Sequence, residues 1–110
     1  MTNYIPYIRR PSAKRKKEVT EMSKLMKLLD EANVPYEVQD CWGTPQVCYP
    51  KSGEGQVCDA ICHGFSYGHE EGLLEIMGLG DEEAIGDSVE GYLTAEEVAT
   101  RIIAHHQQRR

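Results

Sequence analysis

Residues 56–79 read Gln56-Val57-Cys58-Asp59-Ala60-Ile61-Cys62-His63-Gly64-Phe65-Ser66-Tyr67-Gly68-His69-Glu70-Glu71-Gly72-Leu73-Leu74-Glu75-Ile76-Met77-Gly78-Leu79. Two apolar runs flank a glycine-rich centre, the pattern of strand, turn and strand in the middle of an antiparallel sheet. On a strand over Gln56–His63, Val57, Asp59, Ile61 and His63 face one way, and Cys58, Ala60 and Cys62 the other. The small face with both thiols is suited to lie under a helix. Leu73–Met77 fits a helix face as well as a strand. Gly72 and Gly78 bracket only five residues there, which favours the strand. Gly64–Gly72 is then the turn, its glycines free to take positive φ.

Upstream, the spacing of Val19, Met22, Met26 and Leu29, widened by Leu25 and Leu28, predicts one apolar helix face. Ser12 stands where a cap for that helix would be. Asn33 suits its end, and Pro35 stops it. Tyr36–Trp42 is the first strand, with Tyr36, Val38, Asp40 and Trp42 on one face. Gly43-Thr44-Pro45 reads as a turn. Gln46–Tyr49 is the second strand, closed by Pro50, and Lys51–Gly55 is a hairpin loop. Pro6 and Pro11 block a helix at the start of the chain, so residues 1–11 are expected as an extended basic arm before a single domain over 12–110.

Downstream, Gly78–Asp87 is an acidic loop and Ser88–Leu93 a last short strand. Thr94 and Glu97 form a capping box, with Leu93 and Val98 as the matching hydrophobic staple. The helix that follows turns Val98, Ile102 and Ile103 to the core and is expected to fray from His105 onward. The result is an α+β domain: an antiparallel sheet of four to five strands flanked by an N-terminal and a C-terminal helix.

A chain of 110 residues supports one modest core. Its 40% hydrophobic and 27% charged content is ordinary for a globular protein. No run approaches the ~20 apolar residues of a membrane span, and no leader pattern opens the chain, so a cytoplasmic location is expected. Four cysteines are then expected as reduced thiols, although two disulfides stay open. The net charge of −6 is uneven. Six of the twelve Lys and Arg (Arg9, Arg10, Lys14, Arg15, Lys16, Lys17) lie in residues 1–17, which hold no acid; the rest of the chain carries six basic against eighteen acidic side chains, a net of −12. A basic arm on an acidic body can meet nucleic acid, an acidic partner or a second copy.

For chemistry, Cys41, Cys48, Cys58, Cys62, His63 and His69 are the thiols and imidazoles to weigh. Zinc sites favour closely paired ligands. None are paired here, so no metal or other cofactor is expected; a metal, if bound, would use Cys58, Cys62, His63 and His69. Cys62 and His63 are neighbours that a strand points apart, and a thiolate needs a histidine within reach; His69 could supply one. No nucleophile elbow, phosphate loop, dinucleotide fingerprint or zinc-protease motif occurs, so no enzyme activity is expected. Tyr67, His69, Glu70 and Glu71 form a polar turn of the kind that meets partners. Asp81, Glu82, Glu83 and Asp87, with Glu90, Glu96 and Glu97, place seven carboxylates within seventeen residues. Such an array can imitate a phosphate row, or serve only solubility.

The segments Gln46–Pro50, Ser66–Gly78 and Val89–Val98 resemble a family of uncharacterised small proteins carried by phages and prophages of Gram-positive gut bacteria, over roughly residues 22–104. The resemblance implies no activity and no catalytic residue. It implies a setting in which small proteins often bind and inhibit a host defence protein, as anti-CRISPR proteins do. The expectation is therefore a non-enzymatic binding protein acting on a host defence protein or nuclease complex, using Tyr67, His69, Glu70, Glu71, Asp81, Glu82, Glu83 and Asp87; a homodimer is open. A domain sequestering a nucleotide signal or a metal, with Tyr49, Phe65, Tyr67 and Tyr92 lining its pocket, is the alternative. A nucleic-acid-binding accessory protein using the basic arm is the third.

Overall fold

The computed structural model describes residues 19–80 and 89–109. Helix α1 spans Glu21–Glu31. Strands β1 (Glu37–Cys41), β2 (Thr44–Tyr49), β3 (Cys58–Ile61), β4 (Leu74–Met77) and β5 (Val89–Leu93) follow, and helix α2 spans Ala95–Gln108. The strands form one antiparallel sheet in the order β1-β2-β3-β4-β5, so each strand pairs with its sequence neighbour. The fold class is the expected α+β meander with two helices.

Both helices cover the same face. Val47 pairs with Ala60, and Ala60 with Ile76; Tyr49 pairs with Cys58. These residues, with Leu74 and Leu93, join Met22, Leu25 and Leu29 of α1 and Ala95, Val98, Ala99 and Ile102 of α2 in one core. Cys58 and Ala60 are small enough to let the helices approach, as the alternation in β3 predicts. The opposite face carries the row Glu37, Cys48, Asp59, Met77, Val89.

Three boundaries ahead of the central turn differ from expectation. Helix α1 starts at Glu21, and Ser12, the expected cap, lies outside the described residues. Thr20 is its N-cap, accepting from the Ser23 N–H, while Ser23 Oγ accepts from the Thr20 N–H, each at 3.1 Å. Val19 therefore precedes the helix and is 70% exposed instead of lying on its core face. The first turn is not Gly43-Thr44-Pro45. Thr44 and Pro45 belong to β2, and Cys41 pairs with Thr44 across the two-residue turn Trp42-Gly43. Pro45 precedes the part of β2 that pairs with β3, so its missing N–H leaves that ladder intact. Strand β3 is also shorter than expected, and His63 lies beyond it.

Two ends match. Asn33 takes φ 59° after α1, and Val34 N–H donates to Leu29 O at 3.0 Å, closing the helix. The Thr94–Glu97 capping box is formed on both sides, at 3.2 and 2.8 Å. The C-terminal end of α2 does not fray at His105. It stays helical through Gln108, and His105 Nδ1 shares a 2.7 Å hydrogen bond with the hydroxyl of the buried Tyr49. The Tyr49–Pro50 peptide is cis.

Candidate functional site

One end of the molecule collects most of the large apolar side chains that stay exposed among the described residues. The β1–β2 turn, the segment after β3, the starts of α1 and α2 and the end of β5 all meet there, by strand register and by a 2.7 Å hydrogen bond from the Ala95 N–H to Glu21 Oε1. That bond ties the first turn of α1 to the N-terminus of α2, where a carboxylate also suits the helix dipole. It holds the Glu21 carboxyl below its ordinary range.

Five large apolar side chains among the described residues stand exposed at this end: Val19, Trp42 (75%), Phe65 (78%), Tyr67 (62%) and Tyr92 (56%). Trp42 stacks on His63, with centroids 5.6 Å apart and planes at 15°. Phe65 meets Trp42 edge-on at 5.3 Å and His63 at 6.3 Å. Rings so placed satisfy one another only in part.

The backbone adds a second observation. Trp42 has φ 54° and Gly43 φ 85°, the signature of a type I′ turn. Asparagine is the residue such a turn favours at the first position. Tyr92, also exposed, has φ 60°. A bulky residue in the left-handed region costs about 1–3 kcal/mol. Among the described residues, the two ring-bearing ones with this conformation are both at the aromatic end.

The loop that carries Phe65 and Tyr67 is held firmly. Ser66 Oγ accepts from the His63 N–H and donates to His63 O, both at 2.9 Å. His63 Nδ1 accepts from the Phe65 N–H at 3.0 Å. The Tyr67 N–H donates to Glu75 Oε1 at 2.6 Å, and Tyr67 O accepts from the Tyr92 N–H at 3.3 Å. Gly91 allows this approach, since a Cβ there would fall 2.2 Å from Tyr67 Cβ. The surface is thus built before any partner arrives, which lowers the ordering cost of binding.

Beside the rings opens a cleft of about 580 Å³, lined by Val19, Thr20, Glu21, Met22, Thr44, Pro45, Cys62, Glu71 and Gly72. His69, Glu70 and Glu71 form a single turn of 3-10 helix at its edge. Asp40, in the same hairpin as Trp42, accepts from the Gly43 N–H at 3.4 Å. The described residues carry thirteen carboxylates against five Lys and Arg.

Of the residues singled out in the sequence, Tyr67, His69, Glu70 and Glu71 therefore belong to this end. Asp81, Glu82, Glu83 and Asp87 lie outside the described residues, as do Arg9, Arg10, Lys14, Arg15, Lys16 and Lys17. The proposed pocket set is not brought together: Phe65, Tyr67 and Tyr92 are at the aromatic end, but Tyr49 is buried in the core. Nor are Cys58, Cys62, His63 and His69 a ligand set. Among the described residues no three His, Cys, Asp or Glu side chains are grouped to hold a metal ion. Burial pushes the Cys58 thiol up to about 12 and raises the thiols of Cys48 and Cys62, the reverse of what a nucleophile needs. On the far face of the sheet, Asp59 accepts from the Gln46 and Gln56 amides, each at 3.2 Å. Burial raises its carboxyl, and these donors oppose the shift.

Sequence reasoning placed Trp42 on a strand face and did not join it to His63. The available signal was Trp42-Gly43 itself, a two-residue hairpin turn with the wrong residue for the turn. Among the described residues no helix is long and apolar enough to cross a membrane. Comparison with family models, curated proteins and solved structures returns no match.

Proposed function

We propose that this protein is a non-catalytic binding module that docks on another protein through its aromatic end. The observation that carries this reading is the preorganised cluster Trp42–His63–Phe65, continued by Tyr67 and Tyr92, exposed and set partly on strained backbone. Large rigid aromatic rings dominate protein contact energies because they bury much area with few rotatable bonds. The strain of a tryptophan in an αL turn position offsets what its ring contacts with His63 and Phe65 contribute to the fold, so a contact outside the chain is the better account of it. In the setting that the phage resemblance implies, the partner is a host defence protein or nuclease complex in the cytoplasm, and docking inhibits it.

The test has two arms. Expressed in a bacterial host that restricts a phage, the wild-type protein should restore plaque formation, and Trp42→Asn should not. From the same host, the wild type should retain a protein that Trp42→Asn loses, with both variants melting at the same temperature. Equal retention and equal protection by the two would remove the reading.

The cleft favours a second reading, sequestration of a small ligand, since its volume lies in the range of ligand pockets, about 300–1,000 Å³. That reading requires a small molecule to leave with the protein on purification and Val19→Trp, which fills the cleft from outside the core, to release it.

A further inference from the structure

Resting on the docking surface just described, we infer that the partner offers a basic segment whose arginine side chain stacks on Trp42. Trp42 gives one face to His63, in near-parallel contact, and is still 75% exposed. Indole is the strongest cation–π acceptor among side chains. The carboxylates at this end have the complementary sign. Asp40 lies in the same hairpin, and Glu71 lines the adjoining cleft, where Glu21 is already paired with Lys24. Of the five described Lys and Arg, Lys27 pairs with Glu31, Arg101 is bidentate on Glu90, Lys51 lies after β2 and acts on Glu37, and Arg109 lines the pocket of Tyr49 and Pro50 at the other end; Lys24 is paired with Glu21 of the cleft.

The choice of arginine over lysine follows from chemistry. A guanidinium is planar, weakly hydrated and able to stack on a ring while its N–H fork pairs with a carboxylate. An ammonium is held by its water and does only the second well. The apolar walls of the cleft, Val19, Met22 and Pro45, accept a neighbouring apolar side chain of the same segment. Nucleic acid is disfavoured as the occupant, because its phosphates would meet Asp40, Glu70 and Glu71 without a described cation beside the rings. A basic protein surface of the kind that itself holds nucleic acid has the right sign.

Trp42 is the only tryptophan in the chain, so its emission reports on this site alone. The probe is a short acetylated peptide of Arg, Ala and Leu, titrated into the full-length protein beside versions with Lys or Gln in place of Arg. The Arg peptide should shift Trp42 emission saturably and bind roughly fivefold or more tightly than the Lys peptide, with no shift from the Gln peptide. Calorimetry should show a loss of about tenfold for Trp42→Ala and for Trp42→Asn, the second suited to the turn if the first disturbs it. Asp40→Asn with Glu71→Gln should weaken binding and flatten its salt dependence. Equal affinity for Arg and Lys peptides, unchanged affinity in the Trp42 variants, no binding of any peptide, or a Trp42 shift on adding single-stranded oligonucleotide instead would each overturn the inference. Host-partner retention that still depends on Trp42 in such a case would leave the docking surface standing and remove only its arginine.

Discussion

At the scale of single residues, Trp42 holds a position that the turn alone would give to asparagine. Replacing it relieves the left-handed strain, about 1–3 kcal/mol, and removes ring contacts with His63 and Phe65 worth about 0.5–1.5 kcal/mol each. The two effects oppose. Trp42→Asn is therefore expected to leave the urea midpoint nearly unchanged while partner binding is lost, a separation that a purely structural tryptophan would not show. Gly91 is the opposite case. Its φ is unexceptional, but the Tyr67 loop occupies the space a Cβ needs. Gly91→Ala should destabilise the fold by roughly 1–3 kcal/mol through overpacking, or displace the loop, and either result is read from the urea midpoint together with binding. The thiols divide in the same way. Cys58 is buried and its thiol is held up at about 12; Cys41 is half-buried and Cys58 and Cys48 are buried. Iodoacetamide at neutral pH should modify Cys41 before Cys58, and Cys58 only on unfolding, as mass spectrometry of the digested protein would show.

At the scale of elements, the chain declares what depends on neighbours in sequence and conceals what depends on distant ones. The α2 start was legible because Thr94, Glu97, Leu93 and Val98 specify it within six residues. The alternation Cys58, Ala60 against Asp59, Ile61 was legible because a sheet with one covered face imposes period two. The α1 start was misplaced because Thr20–Ser23 is a capping box with serine at the third position, where glutamate or glutamine is the usual sign. The first turn was misplaced because Pro45 reads as a break, although it stands where β3 does not pair. The meeting of Trp42 with His63 could not be read locally at all: it joins a turn to the segment after β3, about twenty residues away. Thr94→Ala should cost about 1 kcal/mol. Glu21 joins the two helices through the Ala95 N–H, and this bond lowers its carboxyl below the reference value of 4.5. A lowered folded value means stability that is fully present above about 4.5 and is lost as pH falls through the lower folded value. Glu21→Gln should accordingly flatten the acid limb of a stability–pH curve in that window; an unaltered limb would show that another carboxylate sets it.

At the scale of the whole molecule, the two helices, the sheet and their core account for each other, and the aromatic end is left over. The far sheet face closes its own polar groups, with Gln46 and Gln56 on Asp59. The other end is occupied by the Tyr49–His105 contact and a shallow pocket between Pro35, Pro50, His106 and Arg109. Neither presents rings to solvent as the Trp42 end does. The central claim is that this end is the contact surface. It is tested most directly by amide hydrogen exchange on the free protein and on its complex with a host protein captured as proposed above. Slowed exchange at Trp42–Gly43, across His63–Gly68 and at Tyr92, with the far sheet face and the end of α2 unchanged, is the predicted result. Slowed exchange confined to Glu37–Gln39, Gln46–Cys48 and Asp59, or to the C-terminal turn of α2, with the aromatic end exchanging as in the free protein, would contradict it.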